Sequence, residues 1–248
     1  MTLNTPAIVL RREDWNGNDA RLVLYTRERG KVDAVARGLR KAKSKLAAHL
    51  EPLTETEVFL VEGRRFPIVA GSSVVTRHES AARSLAQLFG AGLALRLVDV
   101  LTPLESRDDR IFKILQEALT LFDTEAMDDR ASAVVAHLLA WKMLVYTGFH
   151  PELRQCVRCS LTVEAGDVLF DIRHGGVIHQ ACVTPERTAL PLSDAARKGL
   201  AYMVEAPLRD AVRLRSHNGA LSEMNAVIEK LIEERFDIPS GGRFWSVT

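Results

Sequence analysis

Cysteine is scarce in this chain. There are three in 248 residues, Cys156, Cys159 and Cys182, all within one short window. An odd, clustered set argues against a disulfide framework and for a metal. Neither sign of charge dominates. With 33 Lys/Arg against 32 Asp/Glu the formal net charge is +1, which alone predicts no polyanionic partner. No run of about 18 apolar residues occurs, so no membrane-spanning helix is expected. The opening, Met1 to Pro6, has no basic stretch ahead of an apolar block and does not read as a signal peptide. The expected location is therefore the cytoplasm. Three enzyme signatures are also missing: the G-x-x-x-x-G-K-[ST] phosphate loop, the G-x-S-x-G elbow and a strand-borne G-x-G-x-x-G. The chain shows no internal repeat and no low-complexity segment.

What is present is ordinary globular composition, 47% hydrophobic and 26% charged, enough to bury a core. Charge is unevenly placed. Residues 1–80 hold 14 Lys/Arg against 10 Asp/Glu, and the remainder 19 against 22. A basic front and a mildly acidic back suggest two parts with different partners.

The front reads as strands. Ala7–Leu10 is a short apolar run, and Ala20–Thr26 is rich in β-formers, with Leu22, Leu24 and Thr26 on one face. After Gly30, residues 31–37 place Val32, Ala34 and Ala36 inward and Lys31, Asp33 and Arg37 outward. Glu57–Val61 and Phe66–Ala70 supply two more strands around Gly63. Five short strands in about 70 residues suit a five-stranded OB-fold barrel.

From about residue 78 the period becomes helical. Leu85, Phe89, Leu93 and Leu97 repeat every four residues, and Ile111, Ile114, Leu115, Ala118, Leu119 and Phe122 follow the amphipathic template. Val134, Leu138, Trp141 and Val145 do the same. Asp108-Asp109 and Asp128-Asp129 suit helix N-termini, as does Ser193-Asp194, and Leu221, Met224, Ile228 and Leu231 mark a last helix. The expected class is α+β: an OB-fold nucleic-acid-binding domain over 1–78, then a helical domain over 79–238. A zinc-binding insert sits at about 150–190, and 239–248 form a flexible tail.

Cys156-Val-Arg-Cys159 is followed after nineteen residues by His179-Gln-Ala-Cys182. Two ligands at i and i+3 on a tight turn can bite one ion, and two such pairs close a tetrahedral shell. The intervening Asp167–Ile178 reads as a hairpin that returns the chain to the first pair. His174 is a rival ligand, but His179 is the one placed three residues before Cys182. Four protein ligands leave no place for a reactive water, so the zinc would be structural, replacing a core that a small polar insert lacks. Acid or a chelator should loosen this insert first. His150-Pro-Glu152 superficially matches a zinc-deaminase pattern. However, Glu152 lies too close to Cys156 for the two halves to flank a metal.

Residues 37–45 read Arg-Gly-Leu-Arg-Lys-Ala-Lys-Ser-Lys, so Arg37, Arg40, Lys41, Lys43 and Lys45 crowd nine positions without an acid. Arg27, Arg29 and Lys31 lie just upstream. A flexible basic loop can meet several phosphates and release their counterions. Trp15, Tyr25, Phe59 and Phe66 are candidate stacking residues, each more often core than platform. The expected binding is sequence-tolerant and salt-sensitive.

Several stretches together resemble one family. Leu22-Val-Leu-Tyr-Thr-Arg-Glu-Arg-Gly-Lys31, Val35–Gly38, Ser44–Leu46 and Leu50-Glu-Pro-Leu53 look like the N-terminal OB-fold region of RecO proteins. Gly148-Phe-His-Pro-Glu-Leu153 with the cysteine window is similar to that family's zinc region. There, C-x-x-C typically occurs twice, whereas here His179 takes the third place. The resemblance implies a non-enzymatic mediator of DNA repair and recombination. Such a protein binds single- and double-stranded DNA and anneals complementary strands. It contacts the acidic tail of single-strand-binding protein, and acts with RecR to load RecA. The competing expectation is another zinc-containing OB-fold adaptor in transcription or RNA binding.

Overall fold

The structure is a computed structural model that describes residues 2–164, 166, 168–184, 189–213 and 218–238. The chain divides into two compact units, 1–136 and 137–248.

The first unit opens with β1 (Thr2–Asp14), β2 (Ala20–Thr26), β3 (Gly30–Ala36), β4 (Thr54–Val61) and β5 (Ile68–Arg77). They close into a barrel in the order β1-β2-β3-β5-β4, the expected OB-like ring. Neighbours are antiparallel except β3 and β5, where Val35 lies against Ile68. Leu22 and Leu24 on β2, with Val32, Ala34 and Ala36 on β3, are fully buried inside, as period-two alternation requires.

Two strands are longer than their local patterns advertise. β1 pairs with β4 over its first half and with β2 over its second, with a bulge between Val9 and Arg11. A strand that serves two neighbours in turn must be long. No β5 side chain after Val69 is buried, so no apolar alternation marks its extension to Arg77. Its backbone ladder with β4 holds it instead.

Helices α1 (Leu85–Leu101), α2 (Asp109–Thr124) and α3 (Asp129–Tyr146) follow. The expected caps are in place. Asp108 accepts the Arg110 backbone N–H at 2.8 Å, and Asp128 accepts that of Ala131 at 2.8 Å. Gly90 lets α1 meet α2 closely, because a Cβ there would strike the Phe122 ring. The segment between α1 and α2 runs beside the β2–β3 turn. The Glu105 N–H donates to the Lys31 carbonyl at 2.9 Å. Gly30, at φ +69°, leaves no room for a Cβ against the Ser106 carbonyl. Tyr25 is buried there and donates to the Asp108 carbonyl at 3.3 Å. Burial pushes its phenol up. Inside the same unit, the Glu55 carboxylate lies 3.1 Å from His78 Nε2 and accepts from Gln116 at 2.7 Å.

In the second unit, buried Trp141 donates to the Leu200 carbonyl at 3.0 Å, tying α3 to α4 (Asp194–Glu205). His137 meets Glu229 of α5 (Asn218–Arg235) at 2.8 Å. Ser193 caps α4 by accepting the Ala196 N–H. The insert carries a three-stranded sheet in the order β7-β6-β8, from β6 (Val168–Asp171), β7 (Gly176–Ile178) and β8 (Ala189–Leu192). β6 and β7 are the expected hairpin. β8 is an addition, hidden from pattern reading by Pro191, which an edge strand tolerates. The expected tail at 239–248 and the first hairpin residue, Asp167, lie outside the described residues.

Candidate metal centre and nucleic-acid interface

Cys156, Cys159, His179 and Cys182 come together with their ligand atoms all within 4.8 Å of one another. Local backbone chemistry builds the first pair. The Glu152 carboxylate accepts the N–H groups of Arg154 and Gln155, at 2.7 and 2.9 Å, and starts the turn. Cys156 N–H donates to Leu161 O, and Ser160 N–H to Cys156 O, both at 2.9 Å. Ser160 closes the turn at φ +60°.

The second pair is delivered by β7. Val157 N–H donates to Val177 O at 2.9 Å, and Val177 N–H to Glu152 O at 2.8 Å, so the first turn is laced to the strand that ends at His179. Gly176 permits this approach, since a Cβ would collide with Val157 and Glu152. Cys182 N–H then donates to His179 O, and Arg158 donates to Cys182 O at 2.7 Å. His174, the rival ligand, instead holds its Nδ1 3.0 Å from the Asp171 carboxylate. Glu152 serves the turn, which leaves the deaminase-like pattern without its acid.

The thiols differ in acidity. Burial alone would raise Cys156, but backbone N–H groups of Cys159, His179 and Arg158 outweigh it and bring the thiol down to about 6. Burial, then hydrogen bonds to Cys159 and Cys156 and their charge, push Cys182 up to about 11. A thiolate beside a thiolate is resisted, and a cation at the centre removes that resistance. Three sulfurs and one imidazole nitrogen can hold a metal ion.

The eight cations named from the sequence separate into two groups. Arg37, Lys41, Lys43 and Lys45 are exposed, and no ion pair among the described residues engages them. Their loop is held at its ends by Leu39 and Leu50, both buried in the barrel core. Arg40 shares the loop but meets Asp14 at 3.1 Å. The upstream three lie against their own unit. Arg29 pairs with Glu105 at 2.7 Å and Glu62 at 3.3 Å, Lys31 with Asp99 at 3.5 Å, and Arg27 sits 5.8 Å from the Phe112 ring centroid.

The four candidate aromatics also diverge. Tyr25 is core and Phe59 is exposed on β4. Trp15 and Phe66 form an edge-to-face pair with centroids 6.0 Å apart. Against them lie Arg21 and Arg65, with the exposed Arg64 next in the chain, all three passed over in sequence reading. The adjacent Arg64-Arg65-Phe66 was the available signal, obscured because it sits in a turn.

Residues 1–77 match the family model described as Recombination protein O N terminal, and residues 82–243 match Recombination protein O C terminal. The DNA repair protein RecO of Roseiflexus sp. (strain RS-1) is 34% identical over 225 residues, covering 90% of this chain and 77% of that protein. The DNA repair protein RecO of Heliobacterium modesticaldum is 30% identical over 245 residues, covering 97% and 87%. That of Dehalococcoides mccartyi (strain ATCC BAA-2266 / KCTC 15142 / 195) is 30% identical over 225 residues, covering 90% and 87%.

Proposed function

We infer the function from one premise: the chain belongs to the RecO family of DNA repair proteins, a family of non-enzymatic recombination mediators. From that premise we propose that it binds single- and double-stranded DNA through its barrel and anneals complementary strands. With RecR, it helps load RecA onto DNA coated by single-strand-binding protein, whose acidic tail it contacts. In this reading 1–78 is the nucleic-acid-binding barrel and 79–238 the helical part, with the metal insert at about 150–190. The protein works in the cytoplasm, at the nucleoid during repair.

The observation that carries the reading is the loop after β3. Four exposed cations, Arg37, Lys41, Lys43 and Lys45, stand without an acid partner among the described residues on a loop rooted in the barrel core. Annealing requires two polyanions to approach, and unpaired cations lower that repulsion while leaving base edges free. Arg40, partly engaged by Asp14, adds to this surface. Arg27, Arg29 and Lys31 take a secondary part, because phosphate would have to compete with Glu105, Glu62 and Asp99 for the last two.

The ion is zinc in a structural role. Metal–sulfur bonds of ~2.3 Å place tetrahedral donors roughly 3.8 Å apart, within reach of a cluster whose donors lie inside 4.8 Å. Cys156, Cys159, His179 and Cys182 would hold it and fill its shell. Zinc would supply cross-linking of the insert and no reaction step.

The test is a variant with Arg37, Arg40, Lys41, Lys43 and Lys45 all replaced by Ala. For single strands, log affinity against log salt should flatten by about 0.7 for each lost phosphate contact. An unaltered slope removes the loop from the reading. Annealing of strands coated by single-strand-binding protein separates a mediator from a transcription or RNA-binding adaptor, which would not relieve the block.

A further inference from the structure

We propose that Trp15 and Phe66, framed by Arg21 and Arg65, form a platform on which unpaired DNA bases stack, so that the barrel distinguishes single strands from duplex. The inference rests on the DNA-binding reading above and assigns to it a contact distinct from the basic loop.

Trp15 stands in the β1–β2 connection and Phe66 in the β4–β5 connection. The two rings meet edge to face at 87°. Arg21 rises between them from the outer face of β2, its guanidinium 5.5 Å from the Trp15 centroid and 5.4 Å from that of Phe66. Asp33, across on β3, fixes that guanidinium at 2.8 Å. Arg65 lies 5.2 Å from the Phe66 centroid. These contacts orient two aromatic rings and two planar cations around one spot.

The plain alternative is an apolar plug for the barrel. Two observations oppose it. Both rings are only half-buried and neither joins the barrel core, which Leu22, Leu24, Val58 and Leu60 already fill. The surroundings are also cationic. Arg64 and Arg65 are exposed, and no ion pair among the described residues engages either. The acids beside it are engaged: Asp33 holds Arg21 itself, Glu13, opposite Arg21 on β1, pairs with Arg11, Asp14 pairs with Arg40, and the Asp19 carboxylate accepts the Gly38 N–H.

The platform adjoins the phosphate-binding loop. Gly38 N–H donates to the Asp19 carboxylate at 2.7 Å, and Arg40 N–H to the Asn18 carbonyl at 2.9 Å. The loop that carries Lys41 and Lys43 is therefore tied to the connection that carries Trp15. Pro67, next to Phe66, accepts the Val35 N–H at 2.9 Å. A strand whose backbone follows the loop would present its bases to the rings. Stacking engages base faces and leaves the pairing edges open, which is what annealing requires. In a duplex those faces are already stacked, so the platform has nothing to hold.

The test uses the full-length protein, the Trp15→Leu/Phe66→Leu double variant, an oligothymidine, an abasic strand of equal length and charge, and a duplex. Leucine keeps apolar volume and removes the aromatic face. Wild type should bind the oligothymidine about tenfold more tightly than the abasic strand, the effect of one to two stacked bases. In the double variant that gap should close, with duplex affinity unchanged. A 2-aminopurine placed in the strand should be quenched by wild type and not by the variant. A gap that persists in the variant, or is absent from wild type while binding stays salt-sensitive, overturns the platform alone. Wild type that binds no DNA overturns the DNA-binding reading and the platform with it. Matching thermal melts of the two proteins establish that the variant is folded, and the single Trp15→Leu variant, expected to narrow the gap, serves if they differ.

Discussion

The barrel and the cysteine insert solve the same problem by different means. The barrel encloses an apolar interior in which Leu22, Leu24, Val32, Ala34, Val58 and Leu60 are buried from several strands at once. The insert has strands of three and four residues and a small apolar centre of Phe170, Ile172, Val177 and Ile178. Apolar burial stabilises in proportion to area, so the first can stand on its core. The second gathers three thiols and an imidazole instead, and a small unit of that kind depends on its ion. Metal dependence should therefore stay local to the insert.

The largest effect expected is on the insert. Removing the ion with a strong chelator, or making Cys156→Ser/Cys159→Ser, should forfeit a metal-binding free energy on the order of 10 kcal/mol. Protease cleavage should appear within 150–182, while amide-exchange protection of β2 and β3 persists. Loss of barrel protection in parallel would break the contrast. His179→Ala should lower bound metal and His174→Ala should leave it unchanged, as read by metal analysis.

The converse perturbation is Leu24→Ala in the barrel. It should cost about 2–5 kcal/mol by denaturant unfolding, because a cavity opens in a closed interior. Metal content should stay the same. Smaller again is Gly30→Ala. Its left-handed backbone and the Ser106 carbonyl both resist a Cβ, for a loss of more than about 1 kcal/mol. The DNA salt slope should change little, since the five cations of the basic loop lie away from the strain and the flanking Arg29 and Lys31 take only a secondary part.

The smallest effect is Asp108→Ala, about 1 kcal/mol for a lost cap. Its hydrogen bond from the Arg110 side chain holds the carboxyl below the usual range. A depressed pKa means the contribution is present above the ordinary carboxylate pKa and disappears as pH falls through the folded-state value. The gap between wild type and variant should therefore narrow in acid, in thermal melts below about pH 4.

Much of the fold was legible because its signals are local. β3 declares itself by alternation, β2 by its run of β-forming residues, α2 by its Ile111–Phe122 stripe, and its start by Asp108. β5 and β8 were partly or wholly hidden. The far half of β5 buries no side chains, and β8 contains a proline, so backbone pairing rather than pattern defines them. The metal cluster was legible from spacing, because i, i+3 pairs on turns bring their own ligands together.

The sequence by itself determined the ring of five strands, the helices after it and the two ligand pairs, since periodicity and short spacing act between near neighbours. Tertiary structure decided which charges and rings are available. Arg29 meets Glu105 and Lys31 meets Asp99 across long stretches of chain, while Lys41, Lys43 and Lys45 are left open. Trp15 and Phe66 become one feature only when the barrel closes. Availability depends on what distant residues fold against each group, and local pattern carries no record of that.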